Sequence, residues 1–282
     1  MSSFKDIKTG YKRLNNNDIS YGLIYTCNCG WLDLGHLSPE NDNKIIGAQN
    51  LWSQLKGGGP DAQVAWGYHY PPDFRQYSYS DRVLKDMRRD GKARFADGAT
   101  GYRVTLRQEM ILPKRVGRLG ETQSYLIRRN LPETELKSVA LSIFIQVSLG
   151  FERLQQSLEF GGIANFFTEM FLNKPYDSGF SREDLVSNLI GFYIGVGEIT
   201  KADAIAACHP VSEESATKVW EREGAVGQRK NTSFVPDYAS DTYVVDDVSC
   251  KDECLGQPRQ LPSVFKQIRP QQPGRNYLPL RS

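Results

Sequence analysis

Leu136 to Phe160 reads LKSVALSIFIQVSLGFERLQQSLEF, and the reading of this stretch decides the fold. Apolar residues recur at Leu136, Ala140, Ile143, Val147, Phe151, Leu154 and Leu158. These steps of three and four mark one face of an amphipathic helix. Between Ser138 and Phe151 there is no charged residue, so the first half is expected to be buried nearly all round. A long buried helix is the natural centre of a chain of 282 residues. Glu152 falls near its middle, one turn after Ser148. A carboxylate there is paired, exposed at a rim, or at work as a general acid or base.

Working outward, the residues before this helix read as short strands, turns and brief helices, and those after it as mainly helical. Residues 1–20 are polar and Asn-rich and read as a flexible lead-in. Tyr21 to Thr26 reads as a short strand. The segment CNCGWLDLGHLSPEND that follows reads as turn and loop from its Gly, Asp, Asn and Pro content. Lys44 to Leu55 is a helix candidate stopped by Gly57-Gly58-Gly59-Pro60. Gln63 to Tyr70 is a weak strand candidate, and Ser80 to Asp90 a charged short helix. Tyr102 to Ile111 alternates Val104 and Leu106 with Arg103 and Arg107 and is the best strand, with Glu121 to Arg128 as its partner across a glycine-containing turn. Beyond Phe160 come a short aromatic-rich helix over Ile163–Leu172 and a helix opened by Ser181, with Asp184 in the capping-box position and Phe180 and Leu185 as a hydrophobic staple. Two further helices are expected over Lys201–Cys208 and Ser212–Glu223. The fold class is therefore α+β, with a small irregular β-containing N-terminal part on a mainly α-helical C-terminal part. A single domain is expected over residues 21–224, with 225–282 as an irregular extension rich in Pro, Gln and Arg.

Bulk composition removes several classes. Hydrophobic content of 39% and charged content of 24% are ordinary for a globular chain. A net charge of +2 gives no broad basic field, which argues against a general nucleic-acid binder. No apolar run reaches the ~20 residues of a membrane span. The N-terminus has no apolar signal core, so the chain is expected to be cytoplasmic as synthesised, and any export would proceed without a cleaved signal peptide. Five cysteines, at Cys27, Cys29, Cys208, Cys250 and Cys254, are an odd number in a large chain, which does not imply a disulfide framework. The Cys27–Cys29 spacing is poor for zinc, and the Cys250–Cys254 pair has no partner pair at matching spacing.

Three clusters carry candidate chemistry. Gly30-Trp31-Leu32-Asp33-Leu34-Gly35-His36 places one of only three histidines in a glycine-containing loop, three residues after an aspartate. Asp33 could orient His36 or share a divalent metal with it, and Cys27 could be a nucleophile with His36 as base. The plainer account is a loop in which Asp33 makes a turn hydrogen bond and His36 packs at the surface. Glu152 is the second candidate, with pairing to Arg153 as its plain alternative. The third is Ser181-Arg182-Glu183-Asp184 with Ser187 and Asn188. Capping accounts for Ser181 and Asp184, whereas Asn188 among Val186, Leu189 and Ile190 needs a polar partner.

Taken together, GWLDLGH, the Phe151-Glu152 pair and Ser178-Gly179-Phe180-Ser181-Arg182-Glu183-Asp184-Leu185-Val186-Ser187-Asn188-Leu189-Ile190-Gly191 resemble a bacterial family known as domain of unknown function 4056. The third segment is the specific one. The family's histidine before the glutamate is replaced here by Phe151. The resemblance spans roughly residues 21–195 and implies that Asp33, His36, Glu152, Glu183, Asp184 and Asn188 converge; it implies no particular reaction. A shorter likeness, Asp33-Leu34-Gly35-His36, is to nucleases with a histidine–metal finger, where Asn50 would hold the metal.

The resulting expectation is a bacterial hydrolase with a carboxylate–histidine site. His36, Asp33 and Glu152 would be its reacting and orienting groups, Cys27 an alternative nucleophile, and Glu183, Asp184, Asn188 and Trp31 would shape the binding site. Cell-envelope material such as peptidoglycan would suit an exported effector, whose protein partner would be a secretion component or an immunity protein. A non-catalytic interaction protein and a metal-dependent nuclease are the alternatives.

Overall fold

The computed structural model describes residues 3–38, 41–64, 79–111, 118–160, 182–226, 251–254 and 261–280. It is mixed α+β. Helices α1 (Phe4–Asn15), α2 (Ala48–Gly57), α3 (Asp81–Asp90), α4 (Glu133–Phe160), α5 (Arg182–Gly195), α6 (Lys201–Ala207), α7 (Glu213–Glu223) and the short α8 (Lys251–Cys254) accompany strands β1 (Leu23–Thr26), β2 (Gly30–Asp33), β3 (Gly101–Ile111), β4 (Arg118–Arg128) and β5 (Tyr277–Leu280). Among the described residues no helix is long and apolar enough to cross a membrane. The chain divides into two compact units, each assembled from separate stretches, and the division runs through α4 between Ser148 and Leu149.

In the first unit β1 and β2 form an antiparallel hairpin in which Leu23 pairs with Asp33 and Thr26 with Gly30. The loop expected over CNCGWLD thus contains a strand. Gly and Asn mark its tight turn, while Trp31 and Leu32 supply the buried strand residues. The polar lead-in is also corrected: residues 4–15 are helical. The Ser3 amide donates to the Asp6 carboxylate at 2.7 Å to close the helix start, and Ile7 and Tyr11 are buried beneath it. The helix lies against β1, where the Tyr25 amide donates to the Tyr11 hydroxyl at 3.2 Å. Gly22, at φ 122°, meets Gly10 so closely that a Cβ would fall 2.4 Å from the Gly10 Cα. The other edge of β1 takes up residues 209–211, through Cys27 N–H to the His209 carbonyl (2.8 Å) and Val211 N–H to the Tyr25 carbonyl (3.0 Å).

A disulfide between Cys27 and Cys254, 227 residues apart, ties the hairpin tip to α8. The odd cysteine count hid it, because the pairing is long-range. On a chain-entropy account a loop of that length contributes about 5 kcal/mol. The neighbouring Glu253 caps α7 from outside. Its carboxylate accepts the Ser212 amide (2.7 Å), the Ser212 hydroxyl (2.7 Å) and the Ser215 hydroxyl. Burial alone would raise its pKa, but the Ser215 and Ser212 hydrogen bonds outweigh it and hold the carboxyl below the ordinary glutamate value.

The second unit is built on a three-stranded antiparallel sheet in the order β3-β4-β5. The β3–β4 ribbon forms as the alternation predicts, with Tyr102 opposite Ile127 and Val104 opposite Tyr125. Helix α2 covers the free edge of β3: the Gln54 side chain accepts from the Thr105 amide (3.0 Å) and donates to the Thr105 carbonyl (2.9 Å), standing in for a neighbouring strand. The third strand comes from the stretch expected to be an irregular extension. Residues 277–280 pair with β4, and Leu278 and Leu280 enter a core with Val83, Met87, Ala93, Phe95 and Leu126. Pro279 is admissible because β5 is an edge strand, where a missing N–H leaves no ladder bond unmade. In the first half of α4 every side chain from Val139 to Phe144 is buried, as expected. The candidates over residues 163–172 and most of Gln63–Tyr70 lie outside the described residues.

Leu278→Ala is expected to destabilise the protein by about 2–5 kcal/mol, read by urea denaturation, since it empties a fully buried site. For Glu253 the folded pKa lies below the unfolded one, so its stabilisation is complete above the ordinary value of 4.5 and is lost as pH falls through the folded value. Glu253→Gln should therefore melt lower than the parent at pH 7, and the gap should close in acid melts.

Candidate functional site

At the end of β2 the chain turns through residues 34–37. Leu34 and Leu37 are fully buried, Asp33 and Gly35 are half-buried, and His36 is exposed. Two leucines thus anchor the turn while the polar groups stay outside. Asp33 Oδ1 accepts the Gly35 amide at 2.7 Å, an Asx turn of the kind short carboxylates favour. The Leu34 amide donates to the Gly22 carbonyl (2.8 Å) and the Ser38 amide to the Gly35 carbonyl (3.1 Å).

Helix α5 meets this turn directly. The buried Ser187 hydroxyl accepts the Asp33 amide at 2.9 Å. One turn on, a Cβ added at Gly191 would lie 2.5 Å from the His36 carbonyl oxygen and 3.4 Å from the Leu37 Cα. The GWLDLGH and SNLIG segments are therefore in contact, through a serine acceptor and a glycine that admits the turn's backbone. Asn188, between these two positions in sequence, is half-buried. At the head of α6 Lys201 donates from Nζ to the Leu34 carbonyl (2.8 Å) and the Ser38 hydroxyl (2.7 Å). An aspartate, an imidazole and an ammonium group are thus carried on or against one turn.

Other sequence candidates stand elsewhere or do different work. Trp31 is a core residue, 6% exposed, packed edge-on to Tyr25 (5.0 Å between centroids) and to Trp220 of α7 (5.8 Å). Cys27 is corrected: its sulfur is bonded to that of Cys254, and a disulfide sulfur is not a thiolate nucleophile. The side chains of Glu152, Glu183 and Asp184 lie outside the described residues, although the backbone of each is helical. Asn50, in the second unit, uses its amide to donate to the carbonyls of Asn41 (2.7 Å), Asn43 (3.0 Å) and Ile46 (2.9 Å), which staples a loop. Among the described residues no group of three or more His, Cys, Asp or Glu side chains is arranged to hold a metal ion.

The sequence reading missed Lys201. It occupies the first position of a helix capped by Thr200, whose hydroxyl accepts the Asp203 amide. A cation at the positive end of a helix is electrostatically misplaced, and that mismatch signals a partner elsewhere. Gly191 carried a signal too, since glycine inside a helix costs about 0.5–1 kcal/mol and is kept where another backbone approaches. No family model, no curated protein and no solved structure matches the chain.

Gly191→Ala, which would stabilise an isolated helix, is expected to lower the melting temperature here, because its Cβ collides with the backbone of residue 36. An unchanged or raised melting temperature in a thermal scan would show that α5 and the turn do not meet in this way.

Proposed function

We propose that this chain is a bacterial hydrolase, a relative of the domain of unknown function 4056 family, whose chemistry is centred on the turn from Asp33 to His36. His36 is the general base or a ligand for a divalent metal, Asp33 sets the turn that presents it, and Glu152 is the acid or base partner supplied by α4. The base takes a proton from water as it attacks the scissile bond, and the acid gives one to the leaving group. Glu183, Asp184 and Asn188 support the pocket. The observation that supports this reading is the seating of the turn on α5 at Ser187 and Gly191, since it brings together two segments that the family resemblance implies converge.

Export without a cleaved signal, with cell-envelope material such as peptidoglycan as substrate and a secretion component or immunity protein as partner, belongs to the same proposal. The Cys27–Cys254 disulfide supports the export step, because such bonds persist in oxidising compartments. A non-catalytic interaction protein is the second reading. It is favoured by the commitment of Asp33 Oδ1 to the turn itself and by the exposure of His36.

Soluble fragments released from purified peptidoglycan sacculi, separated by mass, test the choice. His36→Ala and Glu152→Gln should each lower the release rate by about 10²-fold or more, with melting temperatures close to the parent's. A parent protein that releases nothing, or variants that keep the parent rate, would overturn the hydrolase. Lowered stability with no activity to lose would favour the interaction protein.

A further inference from the structure

We propose that Cys29 and Cys208 are joined by a second disulfide, so that two crosslinks hold the tip of the β1–β2 hairpin. In the structure both residues are thiols, fully or almost fully buried, with their sulfurs 2.7 Å apart. Non-bonded heavy atoms settle at about 3.5–4.0 Å, whereas a disulfide closes to about 2.05 Å. Two thiols held at the observed separation lie well inside contact distance, and the covalent bond is the arrangement that satisfies it.

The backbone supports the pairing independently. The Asn28 amide donates to the Cys208 carbonyl (3.2 Å), the Cys27 amide to the His209 carbonyl (2.8 Å), and Thr26 is bridged antiparallel to Pro210. Residues 26–29 and 207–210 are thus neighbouring antiparallel segments, the setting in which facing cysteines can close. The hairpin turn holds Cys29 in place, because the Thr26 hydroxyl accepts the Cys29 amide (3.1 Å) and donates to the Gly30 carbonyl (2.9 Å). The Asn28 side chain adds a bond to the Ala207 carbonyl at 3.3 Å. Two positions away, Cys27 of the same turn already carries a crosslink.

The oxidant is a dithiol–disulfide partner or a small disulfide such as oxidised glutathione. One cysteine thiolate attacks a sulfur of that disulfide, forms a mixed disulfide and expels one thiolate. The second cysteine then attacks the mixed disulfide and expels the other. The protein thiols give up two electrons and two protons, and the oxidant leaves as two thiols. Burial pushes the Cys29 thiol well above its ordinary pKa, so exchange is slow once the hairpin is covered. The bond therefore forms while the chain is still closing. The inference stands apart from the hydrolytic reading, and neither fails with the other.

The full chain, refolded in a glutathione redox buffer and alkylated in denaturant before any reduction, gives the test. Trypsin would leave residues 14–44, which hold both Cys27 and Cys29, residues 202–218 with Cys208, and residues 252–259 with Cys254. The expected product is a single species in which all three peptides are linked, falling apart on reduction, with fragmentation between Cys27 and Cys29 placing residues 202–218 on Cys29. Recovery of residues 202–218 carrying alkylated Cys208, with only the 14–44 and 252–259 peptides joined, would overturn the proposal. So would a stoichiometric metal whose chelation is needed before Cys29 and Cys208 react with the alkylating agent.

Discussion

A ribbon of two four-residue strands is too small to hold its shape in water, and much of the first unit follows from that deficit. The β1–β2 hairpin is fixed by what covers it: α1 on one side through the Gly10–Gly22 approach, residues 209–211 along the edge of β1, α5 on β2, and Trp220 of α7 against Trp31. Tyr11 of α1, residues 209–211 and Ser187 of α5 meet the strand backbone with hydrogen bonds, and Trp220 meets Trp31 ring to ring. The strands therefore find hydrogen-bond partners on helices and loops that a longer sheet would have supplied itself. The turn carrying Asp33 and His36 inherits its position from this arrangement, because the strand that leads into it is pinned at both ends.

The same requirement explains why the polar residues near the turn divide their labour. Asp33 spends one oxygen on the turn, Ser187 accepts the turn's first amide, and Lys201 donates to the Leu34 carbonyl and the Ser38 hydroxyl. A reactive group on such a turn has its position set by packing and backbone hydrogen bonds, which is the support a pocket residue needs to be presented in one geometry. The second unit solves the equivalent problem at β3 with the Gln54 amide and closes its sheet with β5.

Legibility from sequence tracked the range of the interactions. Helices α2, α3, α4, α6 and α7 and the β3–β4 ribbon were readable because caps, alternation and three-four spacing are local. Strand β2 was not, since Gly30 and Asp33 look like loop residues until Thr26 and Leu23 are seen opposite them. Helix α1 was obscured by its polar exposed face, which outnumbers the few residues it buries. Strand β5 was hidden by Pro279 and its Gln- and Arg-rich approach, and only its pairing with β4 makes it a strand. At the site, Asp33 and His36 stood out by residue type. Lys201, Gly191 and the Cys27–Cys254 bond act across long separations in sequence and leave only indirect local marks. Trp31 stood out as an aromatic beside a polar loop, whereas its burial against Tyr25 and Trp220 is set by long-range packing that leaves no local mark.

The pairing of β4 with β5 has a consequence for the order of events during synthesis. Leu126 and Ile127 emerge from the ribosome long before Leu278 and Tyr277, the residues they finally lie beside. Between the synthesis of β4 and that of β5, a β3–β4 ribbon has one uncovered edge, and its apolar layer lacks Leu278 and Leu280. Such an intermediate invites pairing with a stranger strand, and it makes completion of the sheet a late, slow, non-local step. A helper that binds exposed strand edges would shorten that exposure.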